Sequence, residues 1–561
     1  MKAPSGYDYD LGSFHRAVST RSSAAQVWFD RGLAWCYGFH HEEAVRCFEQ
    51  AIQVDPTCLM AYWGLAYSLG PNYNVWWGLF DPAKVKSTLR ATNRALDMAK
   101  ECDGSPVEKA LVRALSLRFP SDAKEGDDPG VWNRAYAAAM EKVYEEFKDD
   151  PDIAAVYADS LIGLTPWKLW DLRTGEPTEH SKAIEARMVL EAAMSLHSEL
   201  DHPGLLHFYV HLMEMSNVPE VALPFGDRLE NLVPDAGHLL HMPAHLDILV
   251  GDYRRAISHS VSAIKADEKW LNRFGAQDFY ALYRLHNYHT LIYAALFAGQ
   301  SAVALSTVEK IEESIYHPSL SETLIESNPD WTETFAAIRV HVLVRFGRWQ
   351  EIIDYPLPSN PELHCVTTAF VFYAKGVAYA ATGQIEPAEK MQYQFDEALK
   401  RVPRSRLDFP NKSIEILAVA KSMLAGELEY RRGNYDLAFQ HLRKAIELDD
   451  GLSYAEPWGW MQPVRHAYAA LKLEQGDVQE ACRTYAEDLG FDSTIPRARH
   501  HPNNVWALYG YHECLVKLGR HDEARVIEQP LKIALAYADV EVKSSCYCKA
   551  TERNETSDCC S

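Results

Sequence analysis

Apolar residues recur along this chain with the spacing of an α-helix, and the stretch AAQVWFDRGLAWCYGFHHEEAVRCFEQAIQVDP at residues 24–56 shows the pattern clearly. Its landmarks are Trp28, Gly32, Trp35, Ala44, Phe48, Ala51 and Pro56. The small side chains would let two antiparallel helices approach closely, the large ones would fill the space between them, and the proline would end the second helix. MAYWGLAYSLG follows as the start of another helix. The pattern predicts a helical hairpin that is followed by further helical hairpins.

Counted from Ala25, these landmarks resemble the tetratricopeptide repeat, a helix–turn–helix unit of about 34 residues. The glycine at position 15 and the small residue at position 20 recur farther along, in GDYRRA (251–256), GQSAVA (299–304), GQIEPA (383–388), GNYDLA (433–438), GDVQEA (476–481) and GRHDEA (519–524). GRWQEI (347–352) has the glycine but Ile352 at position 20, and it is a weaker match. Strand signals are sparse. The sequence therefore predicts an all-α solenoid of tetratricopeptide-type hairpins, about nine or ten repeats long, with no substantial sheet.

The chain can be divided into segments according to how regular the repeats are. We expect an N-terminal segment at 1–23, repeats with insertions at 24–200, histidine-rich repeats at 201–330, C-terminal repeats at 331–535 and a disordered, cysteine-containing tail at 536–561. The tail is polar and has no periodicity. Its cysteines, Cys546, Cys548, Cys559 and Cys560, are candidates for capturing a soft metal, although a plain tail is the simpler interpretation.

Histidines are concentrated in three consecutive predicted repeats. The resemblance implies that positions 2, 5, 9 and 12 of the first helix in each repeat face a concave groove. In the repeats that start at Pro203, Gly237 and Leu285, these positions hold His207, His211, Glu214, His238, His241, His245, His286, His289 and Tyr293. Offsets of 3 and 7 residues also place side chains within about 60° of each other on any helix. We expect seven imidazoles and a carboxylate in one hollow of an open, water-accessible groove.

Seven neutral rings in a shared cavity would compete for hydrogen-bond partners, and seven charged rings would repel one another. A metal ion removes both difficulties, because imidazole is a good ligand for copper, iron, nickel and zinc. The nitrogen-rich set favours one or two copper ions, with iron and zinc as alternatives. Glu214 and Tyr293 are the candidate catalytic residues. The competing interpretation is a set of histidines satisfied within a protein core.

Other residues are weaker candidates for the same site. His41 lies at the turn of the first repeat, and His341 occupies position 9 of the repeat after the cluster. The side chains of Tyr209, Tyr280, Tyr283 and Asn287 could surround the ligands or touch a substrate. Pro243, within the HMPAH motif, cannot donate a backbone hydrogen bond and is expected to kink its helix.

The segments YWGLA, GPNYN, HPGLLHFYVHLME, HMPAH and LHNYH also resemble a set of long tetratricopeptide proteins to which no activity is firmly assigned. This resemblance supports reading the histidines as a set, but it implies no substrate. We find no GxGxxG, GxxxxGK[ST], HExxH or GxSxG motif in catalytic context.

The net charge of −22 argues against nucleic acid or an anionic membrane as the main partner. No secretion signal and no apolar run of membrane-spanning length is visible, which predicts a cytoplasmic protein with reduced cysteines. The leading hypothesis is a copper-dependent oxidoreductase that acts on a small organic molecule. A zinc- or iron-dependent hydrolase and a non-catalytic interaction scaffold are the alternatives, and the C-terminal repeats are candidates for homodimer or protein-partner contacts.

Overall fold

The computed structural model describes residues 7–124, 126–275, 280–316 and 324–548. Its α-helices are α1 Ser23–Tyr37, α2 His41–Val54, α3 Leu59–Leu69, α4 Pro82–Lys100, α5 Pro106–Ser116, α6 Pro129–Glu146, α7 Pro151–Ile162, α8 Ala183–Leu196, α9 Pro203–Met213, α10 Leu223–Leu229, α11 Gly237–Val250, α12 Tyr253–Phe274, α13 Tyr280–Ala298, α14 Ser301–Ile315, α15 Leu324–Ser327, α16 Pro329–Ala336, α17 Ile338–Arg345, α18 Trp349–Asp354, α19 Cys365–Ala381, α20 Ile385–Leu399, α21 Ser413–Arg431, α22 Tyr435–Asp450, α23 Val464–Glu474, α24 Val478–Leu489, α25 Val505–Lys517 and α26 His521–Tyr537. Short 3₁₀ helices lie at Trp77–Leu79, Pro219–Ala222 and Arg497–Arg499. The strands of the described residues, β1 Leu407–Asp408 and β2 Asn411–Lys412, form one two-stranded antiparallel sheet. The predicted all-α class is confirmed.

The described chain forms two compact units. The first unit comprises residues up to 246 together with 261–275, and the second comprises 247–260 together with the residues from 276 onward. This division runs through the segment 201–330, which the sequence predicts as one block. Helices α11 and α12 each contribute to both units.

The repeat register is confirmed by the glycines at position 15. Each of them ends the first helix of a hairpin and has a positive φ angle, as follows: Gly251 78°, Gly299 70°, Gly347 61°, Gly383 79°, Gly433 81°, Gly476 81° and Gly519 72°. A positive φ places a side chain's Cβ against the backbone, so glycine is the residue that ends these helices at least cost. The second helix of each hairpin begins two residues later.

Position 15 of the first repeat is occupied by Phe39 instead of glycine. Phe39 nevertheless has the same left-handed backbone, with φ at 55°. An L-residue with a bulky side chain pays about 1–2 kcal/mol for this conformation. Strain of this size is retained where neighbouring contacts hold it in place, and those contacts involve the histidines described below.

Several helices of the irregular region begin with proline after a side chain that caps the helix. Asp81, Ser105, Asp128 and Asp150 each accept a hydrogen bond from a backbone N–H in the first turn of α4, α5, α6 and α7. Proline suits the first helical position because its missing N–H would have no partner there. The capping pattern explains why these helices form although the repeat register is broken.

The C-terminal end of the described chain differs from the expectation of a disordered tail from 536. The Arg345 guanidinium donates to the Ser545 carbonyl oxygen at 2.9 Å, and Arg431 donates to the Cys548 carbonyl oxygen. Ser545 is buried, and Cys546 and Cys548 form a disulfide, so the soft-metal hypothesis fails for this pair. The expectation of disorder was wrong for residues 536–548, because backbone carbonyls, which leave no mark on a side-chain pattern, make the contacts. Cys559 and Cys560 lie outside the described residues.

Among the residues that the structure describes, no helix is long and apolar enough to cross a membrane.

Candidate metal centre

Helix α9 places two histidines one turn apart inside the first unit. His202 caps the helix, because its Nδ1 accepts the Leu205 N–H at 3.2 Å, and Pro203 begins it. Gly204 lets α9 lie against α1, since a Cβ there would come within 2.8 Å of the Tyr37 ring. His207 and His211 follow on the same helix and are 0% and 1% exposed.

The close approach of α9 and α1 fixes the orientation of the His207 ring. Its Nδ1–H donates to the Tyr37 carbonyl oxygen at 2.6 Å. Because a carbonyl can only accept, the neutral ring keeps its lone pair on Nε2. That atom lies 3.1 Å from Nε2 of His238. Burial lowers the pKa of His207 to about 3, so the ring is neutral at physiological pH.

Glu214 orients two further rings. Its Oε1 lies 2.7 Å from Nδ1 of His211, and its Oε2 lies 2.6 Å from Nδ1 of His245. The carboxylate is 1% exposed. When it is ionised it accepts from both Nδ1–H groups, which again leaves both Nε2 lone pairs available. Histidines that bind metals usually have this arrangement, with the second nitrogen held by a carboxylate or carbonyl.

Helix α11 contributes the other rings. It begins at Gly237, where a Cβ would lie only 1.9 Å from the Asp267 carboxylate, so glycine is required for this close packing. His238, His241 and His245 are at most 4% exposed, and the Nε2 atoms of His241 and His245 lie 2.6 Å apart. The helix is continuous through Pro243.

Aromatic side chains pack against the cluster. The Phe39 ring centroid lies 4.5 Å from that of His207 and 5.6 Å from those of His211 and His238. The Tyr73 ring lies 5.0 Å from His211. Sequence reasoning missed Phe39, although the missing glycine at position 15 was a visible signal.

The ligand atoms of His207, His211 and His238 all lie within 4.8 Å of one another. Metal–nitrogen bonds of about 2.0–2.1 Å at a tetrahedral angle separate two nitrogens by roughly 3.3 Å, close to the spacing of the His207 and His238 nitrogens. These three rings therefore could hold one ion. They are buried, which differs from the open groove expected from the sequence, because the phenylalanine and neighbouring helices cover them.

Other predicted residues lie elsewhere in the first unit. The Nδ1 of His41 lies 2.9 Å from the Ser68 carbonyl oxygen, its Nε2 lies 3.7 Å from the Cys36 sulfur, and burial lowers its pKa to about 4. The Tyr209 hydroxyl donates to Glu191 at 2.7 Å. Both side chains make contacts with other protein groups, which are Ser68 and Cys36 for His41 and Glu191 for Tyr209.

His286, His289 and Tyr293 lie on α13 in the second unit. Burial lowers the pKa of His289 to about 3, and that of His341 to about 4. The Tyr293 hydroxyl lies 3.3 Å from Nε2 of His501, whose Nδ1 lies 2.9 Å from the Asp488 carboxylate. It stays a prediction that all seven histidine rings share one pocket.

The tetratricopeptide repeat family profile matches residues 25–58. The chain contains a tetratricopeptide repeat. No curated protein matches it. Three solved structures show similarity over most of this chain: the human IFIT1 dimer with m7Gppp-AAAA (12% identity, 93% of this chain and 92% of that one, TM-score 0.31), yeast Tom70 (12%, 91% and 92%, 0.30) and the APC/C hetero-tetramer Cut9-Hcn1 (14%, 85% and 75%, 0.30).

Proposed function

We propose that the first unit binds a transition-metal ion through His207, His211 and His238, with His241, His245 and Glu214 next to it. The main support for this proposal is that the Nδ1 atoms of three rings are held by hydrogen-bond acceptors of the protein. Those of His207, His211 and His245 face a backbone carbonyl or a carboxylate, which directs lone pairs on Nε2 toward neighbouring rings. A histidine cluster that served only packing would have no need for three rings in the same tautomer.

Copper is the metal we propose first, with iron and zinc as alternatives. The donor set is imidazole nitrogen, without cysteine, and both oxygens of Glu214 are engaged by ring nitrogens. Nitrogen donors suit copper, whereas carboxylate-rich sets are typical of paired iron centres. Glu214 accordingly acts by positioning the rings, which differs from the catalytic role that the sequence suggested for it.

The activity that we propose for the copper-loaded protein is oxidation of a small organic molecule, with dioxygen as the electron acceptor. It rests on the histidine cluster described above. A protein that contains only zinc would instead favour hydrolysis.

Metal analysis tests the proposal. Protein purified without an affinity tag is expected to contain one to two equivalents of copper or iron. His211→Ala and His238→Ala should each lose most of the metal while keeping their helical circular dichroism. His259→Ala is the matched control, since His259 is also buried and its Nδ1 lies 2.8 Å from a carboxylate, that of Asp247, in the second unit. Wild-type protein that takes up no copper, iron or zinc after dialysis would refute the proposal.

A second candidate function is protein binding through the C-terminal repeats. Val526 and Ile533 on α26 are 73% and 63% exposed. Residues seven positions apart lie on one helix face, so they form part of an apolar surface. We propose that this face binds a second copy of the chain. Light scattering after size-exclusion chromatography should then show a dimer that Val526→Glu with Ile533→Glu converts to a monomer, and a wild-type monomer at high concentration would refute it.

A further inference from the structure

Helix α13 of the second unit carries a buried arginine whose guanidinium has no hydrogen-bond partner among the described residues. Arg284 is 3% exposed. None of its three guanidinium nitrogens has a hydrogen-bond partner among the described residues. Arginine stays protonated at every physiological pH, so this side chain holds a full positive charge away from water. An uncompensated buried charge is among the most costly features of a protein interior.

Three other buried arginines of the second unit show the contacts that a buried guanidinium usually makes. Arg406 binds Asp330 at 2.7 Å, Arg465 binds Asp450 at 2.7 Å, and Arg345 donates to a backbone carbonyl at 2.9 Å. Each has at least one protein acceptor for its guanidinium. Arg284 differs from them in having none within the part of the chain that the structure describes. We infer that its acceptor is supplied by a bound ligand.

The helix face around Arg284 indicates what kind of ligand this is. Residues three and four positions away share a face with it, which brings Tyr280, Asn287 and Tyr288 to the same side of α13. All three are at most 3% exposed. Aromatic rings and a side-chain amide suit a small organic molecule more than a bare inorganic ion.

The charge of the ligand follows from the single guanidinium. One arginine balances the one negative charge of a carboxylate, and its planar fork matches the two carboxylate oxygens. A phosphate group would bring about −1.5 to −2 charges. The ligand class that fits is a small carboxylate, and aromatic carboxylates fit best. This inference is independent of the proposed metal site.

Thermal unfolding with defined anions tests the inference on the full chain. Sodium acetate, sodium benzoate and inorganic phosphate would be compared with chloride at equal ionic strength. Benzoate and acetate should raise the unfolding temperature of the wild type by about 2 °C or more at saturation, because a ligand that binds only the folded state stabilises it. Equilibrium dialysis with labelled benzoate should give one site per chain.

The variant Arg284→Met separates a ligand site from a structural role. It removes an unbalanced charge and keeps a long apolar side chain. It should unfold in chloride at the same temperature as the wild type or higher, and should not respond to benzoate. Arg465→Met is the matched control and should unfold at a lower temperature, because it leaves the Asp450 carboxylate without its partner.

Three results would overturn the inference. The first is a wild-type protein whose unfolding temperature and dialysis show no carboxylate binding, whatever the stability of the variant. The second is a wild-type unfolding temperature that rises with phosphate but not with acetate or benzoate. The third is an Arg284→Met variant whose unfolding temperature rises with benzoate as much as that of the wild type.

Discussion

Replacing Glu214 by glutamine should weaken metal binding without unfolding the first unit. The carboxylate accepts from Nδ1 of His211 at 2.7 Å and from Nδ1 of His245 at 2.6 Å. A glutamine amide has one accepting oxygen and one donating NH2 group, so it can accept from only one of these rings. The other ring must then move its proton to Nε2 and loses the lone pair there. When that ring is His211, this is the lone pair that would bind the metal.

The size of the effect follows from the loss of one oriented ligand. Removing a carboxylate that holds a metal-binding histidine typically costs 10- to 100-fold in affinity, which is about 1.4–2.8 kcal/mol. Competition with a chromophoric chelator for copper measures this change, and far-ultraviolet circular dichroism checks the fold. Asp247→Asn is the control, because it makes the same change beside His259 in the second unit.

Two outcomes would refute the prediction for Glu214→Gln. Glu214→Gln that binds copper as tightly as the wild type would show that the carboxylate does not orient ligands. An equal loss of affinity in Asp247→Asn would show that the effect is not specific to the cluster. If Glu214→Gln does not fold, Glu214→Asp retains both oxygens on a shorter side chain and should show a smaller loss of affinity.

Three further predictions concern stability, each measured by urea unfolding. Gly383→Ala should lower the free energy of unfolding by about 1–2 kcal/mol, because alanine is strained in the left-handed backbone conformation of this position. Gly251→Ala should lower it clearly more, because the added Cβ would also lie 2.2 Å from a backbone oxygen. Equal losses in the two variants would contradict this. The free energy of unfolding of Phe39→Ala should fall by about 3–5 kcal/mol, the usual cost of removing a buried ring, because alanine keeps a Cβ and with it the left-handed strain; a gain would contradict this. Burial alone would raise the pKa of Asp152, but the Arg16 guanidinium 2.8 Å away lowers it well below its usual value. The ionised Asp152 carboxylate should therefore stabilise the folded protein fully above about pH 4, and this stabilisation should decrease as the pH falls further. Asp152→Asn should be less stable at neutral pH, and its free energy of unfolding should change less with pH in the acid range.

The sequence predicted the helical hairpins because their signals are local. Glycines such as Gly251 and Gly383 end helices through their own backbone angles, which residue identity alone can indicate. The sequence also placed His207 and His211 on one face of one helix. The acceptor of His207 could not be predicted, because the Tyr37 carbonyl is 170 residues away in the chain and leaves no side-chain signal.

Two expectations failed for physical reasons that a pattern does not contain. An open groove was expected around the histidines, but the Phe39 ring covers three of them from a left-handed turn. The region from 536 was expected to be disordered because it lacks apolar periodicity. Its contacts instead run from Arg345 and Arg431 to backbone carbonyls, which any sequence could supply.

Anomalous diffraction from crystals of the copper-loaded protein would locate the bound metal directly. We expect a peak at the copper edge about 2.0–2.2 Å from Nε2 of His207 and His211 and bonded to a nitrogen of His238, with Glu214 still bridging His211 and His245. Copper that is found only at surface histidines, or rings that keep direct hydrogen bonds to each other with no peak between them, would contradict it.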